Sequence, residues 1–454
     1  MTFESRNPAT GKLLETFSAA SDADVEQTLD ATHQAFLAWR TRPIAERSAL
    51  LRGVAKGLRA RASEHAETMA LEMGKPLAQG QAEVEKCAWV CDYYAEHAAR
   101  MVAPEARETD AKKTFIRFDP IGVVFAIMPW NFPFWQVIRF AAPALMAGNT
   151  ALLKHSPNVG RCALAIEATF RDAGLPDGAF RNLFVEPERT AGIIADARVQ
   201  AVTLTGSERA GAAVAALAGQ AIKKTVLELG GNDPFIVLAD ADVEKAARVA
   251  ADARLINSGQ SCIAAKRFIV VDEIADRFIE ALAASMKERV MGDPLDPATY
   301  IGPQAREGLR VNLARQVEQS LRRGAKLVLG GRVPRGLGSF YPATVLSSVA
   351  AGMPAFDEET FGPVAAVVRA TDETDAIALA NQSPFGLGAS LWTADRDRAE
   401  QLAARIDAGA VFVNAMVKSD PRVPFGGIKR SGYGRELSEH GLREFVNVKT
   451  VWIE

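Results

Sequence analysis

Leu227-Glu228-Leu229-Gly230-Gly231-Asn232-Asp233-Pro234 divides the chain in two. Upstream, short apolar runs alternate with helical patterns: strands are expected at 122–128, 150–154, 201–205 and 225–229, and helices after Ser21 and over 47–61. Downstream a second series starts, with strands expected at 235–238, 268–271, 326–329, 365–368 and 410–414. Alternation of this kind builds largely parallel sheets covered by helices. A double glycine followed by Asn-Asp-Pro breaks both kinds of element. The expectation is therefore an α/β protein of two domains, the first ending near Leu229 and the second running from Gly230 to about Gly434.

Two pieces fit neither series. Residues 101–119 are polar and alternating, and the tail 444–453 is rich in β-branched and aromatic residues. Left unpaired, the tail would present an aggregating edge, so it is expected to add to a sheet, in this chain or in a neighbouring subunit. Together the two pieces predict a small β oligomerisation arm, from residues 101–119 and 435–454, in a homodimer or homotetramer.

The composition narrows the function classes. A chain of 454 residues, 48% hydrophobic and 24% charged, has apolar material for more than one core without disulfides or metals. A net charge of −2 with no basic stripe argues against nucleic acid or anionic membranes as partners. Residues 1–8 carry no apolar or Arg-rich targeting pattern, and the longest apolar run is broken by Pro129, Asn131, Pro133 and Arg139. Cys87, Cys91, Cys162 and Cys262 are spaced for neither a disulfide framework nor a zinc site, which points to a reducing cytoplasm and no metal.

Four motifs carry chemistry. In Asn257-Ser258-Gly259-Gln260-Ser261-Cys262 the cysteine follows a glycine turn after an apolar helix, where backbone N–H groups can help ionise it as a nucleophile. The alternative is a small buried apolar side chain. Glu228, among apolar residues beside two glycines, should resist ionisation and so become a better base; alternatively it caps a turn or pairs with Lys223 or Lys224. In Pro129-Trp130-Asn131-Phe132-Pro133 the prolines fix the backbone and leave the Asn131 amide able to donate to an oxyanion, or simply to hold a turn. Thr205-Gly206-Ser207, after an expected strand, can present N–H groups to a phosphate, although the spacing is not the usual dinucleotide fingerprint.

In this order and at these separations the four motifs resemble the aldehyde dehydrogenase superfamily. Glu358-Glu359-Thr360-Phe361-Gly362-Pro363-Val364, Pro424-Phe425-Gly426-Gly427 and Ser431-Gly432-Tyr433-Gly434-Arg435-Glu436 add to the likeness, which runs from Asn7-Pro8-Ala9-Thr10-Gly11 to Lys449-Thr450-Val451. The resemblance implies a dinucleotide-binding domain from 1–100 and 120–229 and a catalytic domain from 230–434. It implies that Cys262 attacks the aldehyde, that Asn131 and the Cys262 N–H hold the oxyanion, and that Glu228 activates water to free the thioester. Glu436 would either assist proton movement or be structural.

The same likeness implies a cofactor site of Trp130, Lys154, Ser156, Pro157, Gly206, Ser207, Leu229, Glu359 and Phe361, with Lys154 at the adenosine ribose. NAD-preferring members read Pro-Ser-Glu after that lysine; here the sequence is His155-Ser156-Pro157. Without that carboxylate a 2′-phosphate is not repelled, so NADP is expected ahead of NAD. Trp135, Arg139, Ser261, Ser419 and Phe425 are expected at the substrate. Arg139 would clamp a carboxylate, unless it pairs with an internal Asp or Glu. Local detail is similar to bacterial succinate semialdehyde dehydrogenases, so a short ω-carboxy aldehyde is the expected substrate. Glutarate semialdehyde or a broader aldehyde range is the second choice. A coenzyme A-acylating relative or an inert fold are further alternatives; the first commonly lacks the Glu228 base.

Overall fold

The computed structural model describes residues 2–454. The first of its two large sheets has six strands in the order Gly432–Tyr433, Lys224–Glu228, Val199–Thr205, Val123–Met128, Thr150–His155 and Phe180–Asn182. All neighbours are parallel except Gly432–Tyr433, which runs antiparallel to Lys224–Glu228. The second sheet has seven strands, in the order Lys326–Leu329, Thr344–Ser347, Val364–Ala370, Arg267–Val271, Pro234–Val237, Gly388–Trp392 and Ala410–Val413. Only its Lys326–Leu329 edge is antiparallel. The two sheets follow one another on either side of Gly230-Gly231, as an α/β chain of this pattern should.

Every strand expected from the sequence is present. Within the two large sheets four others were not expected: Phe180–Asn182, Thr344–Ser347, Gly388–Trp392 and Gly432–Tyr433. Gly432–Tyr433 departs from the expected division, since it lies within 230–434 yet completes the first sheet. A two-residue strand has no periodicity to read; its place is set by backbone pairing with Leu227 and Glu228.

Helix Asp22–Trp39 opens with a reciprocal cap: Ser21 Oγ accepts from the Asp24 N–H, and the Asp24 carboxylate accepts from the Ser21 N–H. Helix Leu77–Met101, 25 residues long, packs on Ile44–Ala60, Ala62–Met73 and Trp135–Ala147. All thirteen residues of Trp135–Ala147 are buried, so this helix lies wholly inside the domain. The tail strand Val446–Ile453 pairs antiparallel with Lys113–Pro120 of the same chain, and Glu105–Arg107 forms the third strand. The expected small β arm is therefore built within one chain. Val448, Trp452 and Ile453 remain about half exposed on it. Among the described residues no helix is long and apolar enough to cross a membrane.

Candidate active site

A cavity of about 300 Å³ opens at the carboxyl ends of Val123–Met128 and Val199–Thr205. From the first of these strands the chain proceeds outward to Thr150–His155 and Phe180–Asn182; the second leads the other way, to Lys224–Glu228. This is the point where the strand order reverses, and open α/β sheets bind ligands there. The lining includes Trp130, Asn131, Thr205, Gly206, Ser207, Leu229, Cys262, Glu359 and Phe361, drawn from both sheets.

Cys262 is delivered by a strained loop. Helix Val243–Leu255 ends, and Asn257, Ser258 and Gly259 follow in left-handed conformation, with φ of 53°, 56° and 77°. Gly259 is obligatory, because a Cβ there would lie 2.2 Å from the carbonyl carbon of Gly362. The two non-glycine residues tolerate the conformation because the surroundings hold them. Asn257 Nδ2 donates to the Asn131 carbonyl at 2.6 Å, and Ser258 Oγ accepts from the Gly302 N–H at 2.8 Å. Of the four cysteines, Cys262 alone is not fully buried. Desolvation pushes its thiol up to about 12, opposed by the positive charges of Arg139 and Lys266. The resting side chain is a thiol and must pass its proton to a base before it attacks.

Asn131 is oriented on both sides. Its Nδ2 donates to the Gln260 carbonyl at 3.1 Å, and its Oδ1 accepts from Gln136 Nε2 at 3.1 Å. An amide nitrogen carries two hydrogens, so one remains for an oxygen in the cavity that Asn131 and Cys262 share.

Glu228 ends its strand fully enclosed, and neither carboxylate oxygen has a hydrogen-bond partner in the protein. The lysine alternative does not hold: Lys224 pairs with Glu444 at 2.8 Å, and Lys223 Nζ donates to the Asp196 carbonyl. Burial raises the proton affinity of Glu228 well above the ordinary carboxylate range, and the nearby Glu436 charge raises it further, against Arg139 and Arg435. Such a carboxylate suits a general base.

Arg139 differs from the expected clamp. It is ion-paired with buried Glu436, its guanidinium lies 4.7 Å from the Phe425 ring centroid, and it reaches the Thr205 hydroxyl at 3.5 Å. A cation enclosed on all sides takes an internal anion, and Glu436 supplies it. Phe425 is part of the same unit, exchanging two 2.7 Å backbone hydrogen bonds with Glu436. Ser261 is buried, with its carbonyl accepting from Lys266 Nζ at 3.1 Å. Trp135 and Ser419 are brought together by a residue that sequence reasoning missed: Lys86 Nζ donates to Ser419 Oγ at 2.7 Å and lies 4.3 Å from the Trp135 ring centroid.

On the cofactor side, Ser207 caps helix Glu208–Gln220 by accepting from the Ala210 N–H, which places Gly206 and Ser207 at a helix N-terminus. Trp130 and Phe361 meet edge to face, centroids 5.8 Å apart. Glu359 accepts from the Gly231 N–H at 3.1 Å and stands 3.4 Å from Lys266. Lys266 in turn donates to the Cys262 carbonyl at 2.6 Å. It ties the cysteine loop to Glu359, and nothing local in its sequence announces this. Lys154, Ser156 and Pro157 stand beyond the cavity at the end of Thr150–His155. Burial lowers the Lys154 proton affinity while Glu188 and Glu186 raise it; those two carboxylates were also missed. A helix N-terminus at Gly206–Ser207 and an aromatic pair in the same cleft fit a dinucleotide.

The chain matches the aldehyde dehydrogenase family model over residues 1–451. It is 51% identical over 453 residues to a probable NADP-dependent succinate-semialdehyde dehydrogenase of Synechocystis, covering all of both chains. To the NAD(P)-dependent succinate semialdehyde dehydrogenase Sad of Escherichia coli it is 49% identical, over 98% of this chain and 96% of that one. Its structure superposes on the succinic semialdehyde dehydrogenase of Streptococcus pyogenes in complex with NADP+ at a TM-score of 0.97, with 39% identity and 99% of each chain covered. Matched in this way along its whole length, the chain belongs to the aldehyde dehydrogenase family.

Proposed function

We propose that the chain oxidises succinate semialdehyde to succinate, with NADP as the preferred acceptor and NAD as the second, through a thioester on Cys262. The relatives named above support the substrate and the cofactor. The observation that carries the mechanism is the buried, partnerless carboxylate of Glu228 close to a cavity lined by Cys262 and Asn131.

The Cys262 thiol gives up its proton to water in the cavity, helped by the Arg139 and Lys266 charges that oppose its raised proton affinity. The sulfur attacks the aldehyde carbon, and the oxygen gathers negative charge between the second N–H of Asn131 and the Cys262 backbone N–H. The bound nicotinamide supplies a hydride acceptor. Once hydride has left, the carbonyl re-forms as a thioester. With its proton lost to solvent, Glu228 then takes one from the attacking water; acid is released and the sulfur is restored. The presence of this base supports hydrolysis over transfer to coenzyme A.

Reduced-cofactor absorbance tests the reading. Succinate must form without coenzyme A, faster with NADP than with NAD, and Lys154→Ala must impair NADP use more than NAD use. Strict coenzyme A dependence would select the acylating alternative. We place the enzyme in the cytoplasm and read it as a homodimer or homotetramer; the half-exposed apolar residues of the tail strand support the oligomer.

A further inference from the structure

Arg139 is already ion-paired with Glu436, so another cation is sought for the far end of the substrate. Lys86 belongs to helix Leu77–Met101, beside Trp135 of the buried helix Trp135–Ala147 and Ser419 of the downstream loop. Gln136, the residue after Trp135, lines the cavity that holds Cys262, and the Arg139 charge acts on both the Lys86 amine and the Cys262 thiol, so this corner borders the nucleophile's surroundings.

Among the described residues Lys86 has no carboxylate partner: its ammonium is held by one hydroxyl and one aromatic face. The carboxylates near it are all committed. Glu83 is paired with Lys75 and accepts the Phe134 and Trp135 N–H groups, both at 2.9 Å. Asp420 is paired with Arg422 at 2.7 Å. Burial, with the Arg139 charge adding to it, brings the amine down to about 8, against Cys87 and the carboxylates of Glu83 and Asp420. A desolvated cation without an anion is costly; a bound carboxylate would remove that cost.

We propose that Lys86, with the Ser419 hydroxyl beside it, is the anchor for the ω-carboxylate of the substrate and so sets the preference for carboxylated over neutral aldehydes. This rests on the substrate reading above. The Trp135 face then covers the methylene chain while the aldehyde end reaches Cys262. Arg139 acts behind this site, holding Glu436.

The test compares succinate semialdehyde with butanal, a neutral aldehyde of equal length, in the wild-type enzyme and in Lys86→Met, which keeps the stem and removes the charge. Wild type prefers succinate semialdehyde in kcat/KM. Lys86→Met loses about a hundredfold on it, the order expected when one member of a buried charge pair is removed, and keeps its rate on butanal; Lys86→Arg recovers part of the loss. A wild-type enzyme with no preference overturns the substrate reading and this proposal together. A wild-type preference that survives in Lys86→Met overturns the anchor alone. On the unaltered protein, succinate slows acylation of the Lys86 amine by an amine-reactive reagent, read by peptide mass. Equal labelling with and without succinate contradicts the assignment even if the variant does not fold.

Discussion

Replacing Glu228 by Gln separates the two halves of the reaction. Both carboxylate oxygens lack protein partners, so the amide breaks no hydrogen bond. Burial and Glu436 favour the protonated carboxyl, and glutamine reproduces that neutral form beside the Arg139–Glu436 pair. Stability should therefore change by less than about 1 kcal/mol. Turnover should not be spared. A positioned base contributes roughly 10²–10⁴-fold; with Glu359, the carboxylate lining the cavity, held by the Gly231 N–H and Lys266, about 10³ is the working figure, or ~4 kcal/mol of barrier. Thioester hydrolysis should suffer more than hydride transfer. In rapid mixing, Glu228→Gln then gives a burst of reduced cofactor approaching the enzyme concentration, followed by a slow steady state. Unchanged turnover, or a slow progress curve without a burst, would remove Glu228 from the hydrolytic step.

Asn131→Ala should lower kcat by about 10²–10³ with cofactor affinity intact, measured by steady-state kinetics and fluorescence titration; a pure rise in KM would deny it an oxyanion role. Glu83→Ala leaves Lys75 buried without its partner and exposes two helix N–H groups. It should cost about 3–5 kcal/mol, read as a lower urea midpoint, and a midpoint equal to wild type would contradict the packing described. The ammonium form of Lys86 is the one that binds an anion, and it is lost as pH rises through about 8. Above that pH the ratio of kcat/KM for succinate semialdehyde to that for butanal should fall about tenfold per pH unit. Butanal cancels the ionisation of Cys262, and the groups facing Lys86 are Glu83, Cys87, Arg139 and Asp420. A flat ratio from pH 7 to 10 would refute the charge argument.

The alternation of strands and helices around Leu227–Pro234 was legible because hydrophobic period and turn residues are local properties. The positions of Cys262, Glu228 and Asn131 at element ends were legible for a related reason, since glycine or proline marks each of those ends; their roles came from the resemblance. Thr344–Ser347 and Gly388–Trp392 were missed because such short runs in the middle of a sheet carry no alternation. Arg139 shows where spacing stops informing. Its anion, Glu436, is distant in sequence, and only the antiparallel return of the chain beside Lys224–Glu228 brings the two together. Lys86 carries no local signal in the sequence. Its meaning depends on Trp135 and Ser419, contributed by two other segments, and on the neighbouring carboxylates being engaged.

The central claim is that Cys262 is acylated during turnover, and its most direct test is chemical. Glu228→Gln, mixed with succinate semialdehyde and oxidised cofactor, is quenched in acid during the burst and digested for peptide mass measurement. The account predicts a succinyl group on the peptide containing Cys262, absent without cofactor and absent in Cys262→Ala. Reduced cofactor formed in the burst with an unmodified Cys262 peptide would contradict it.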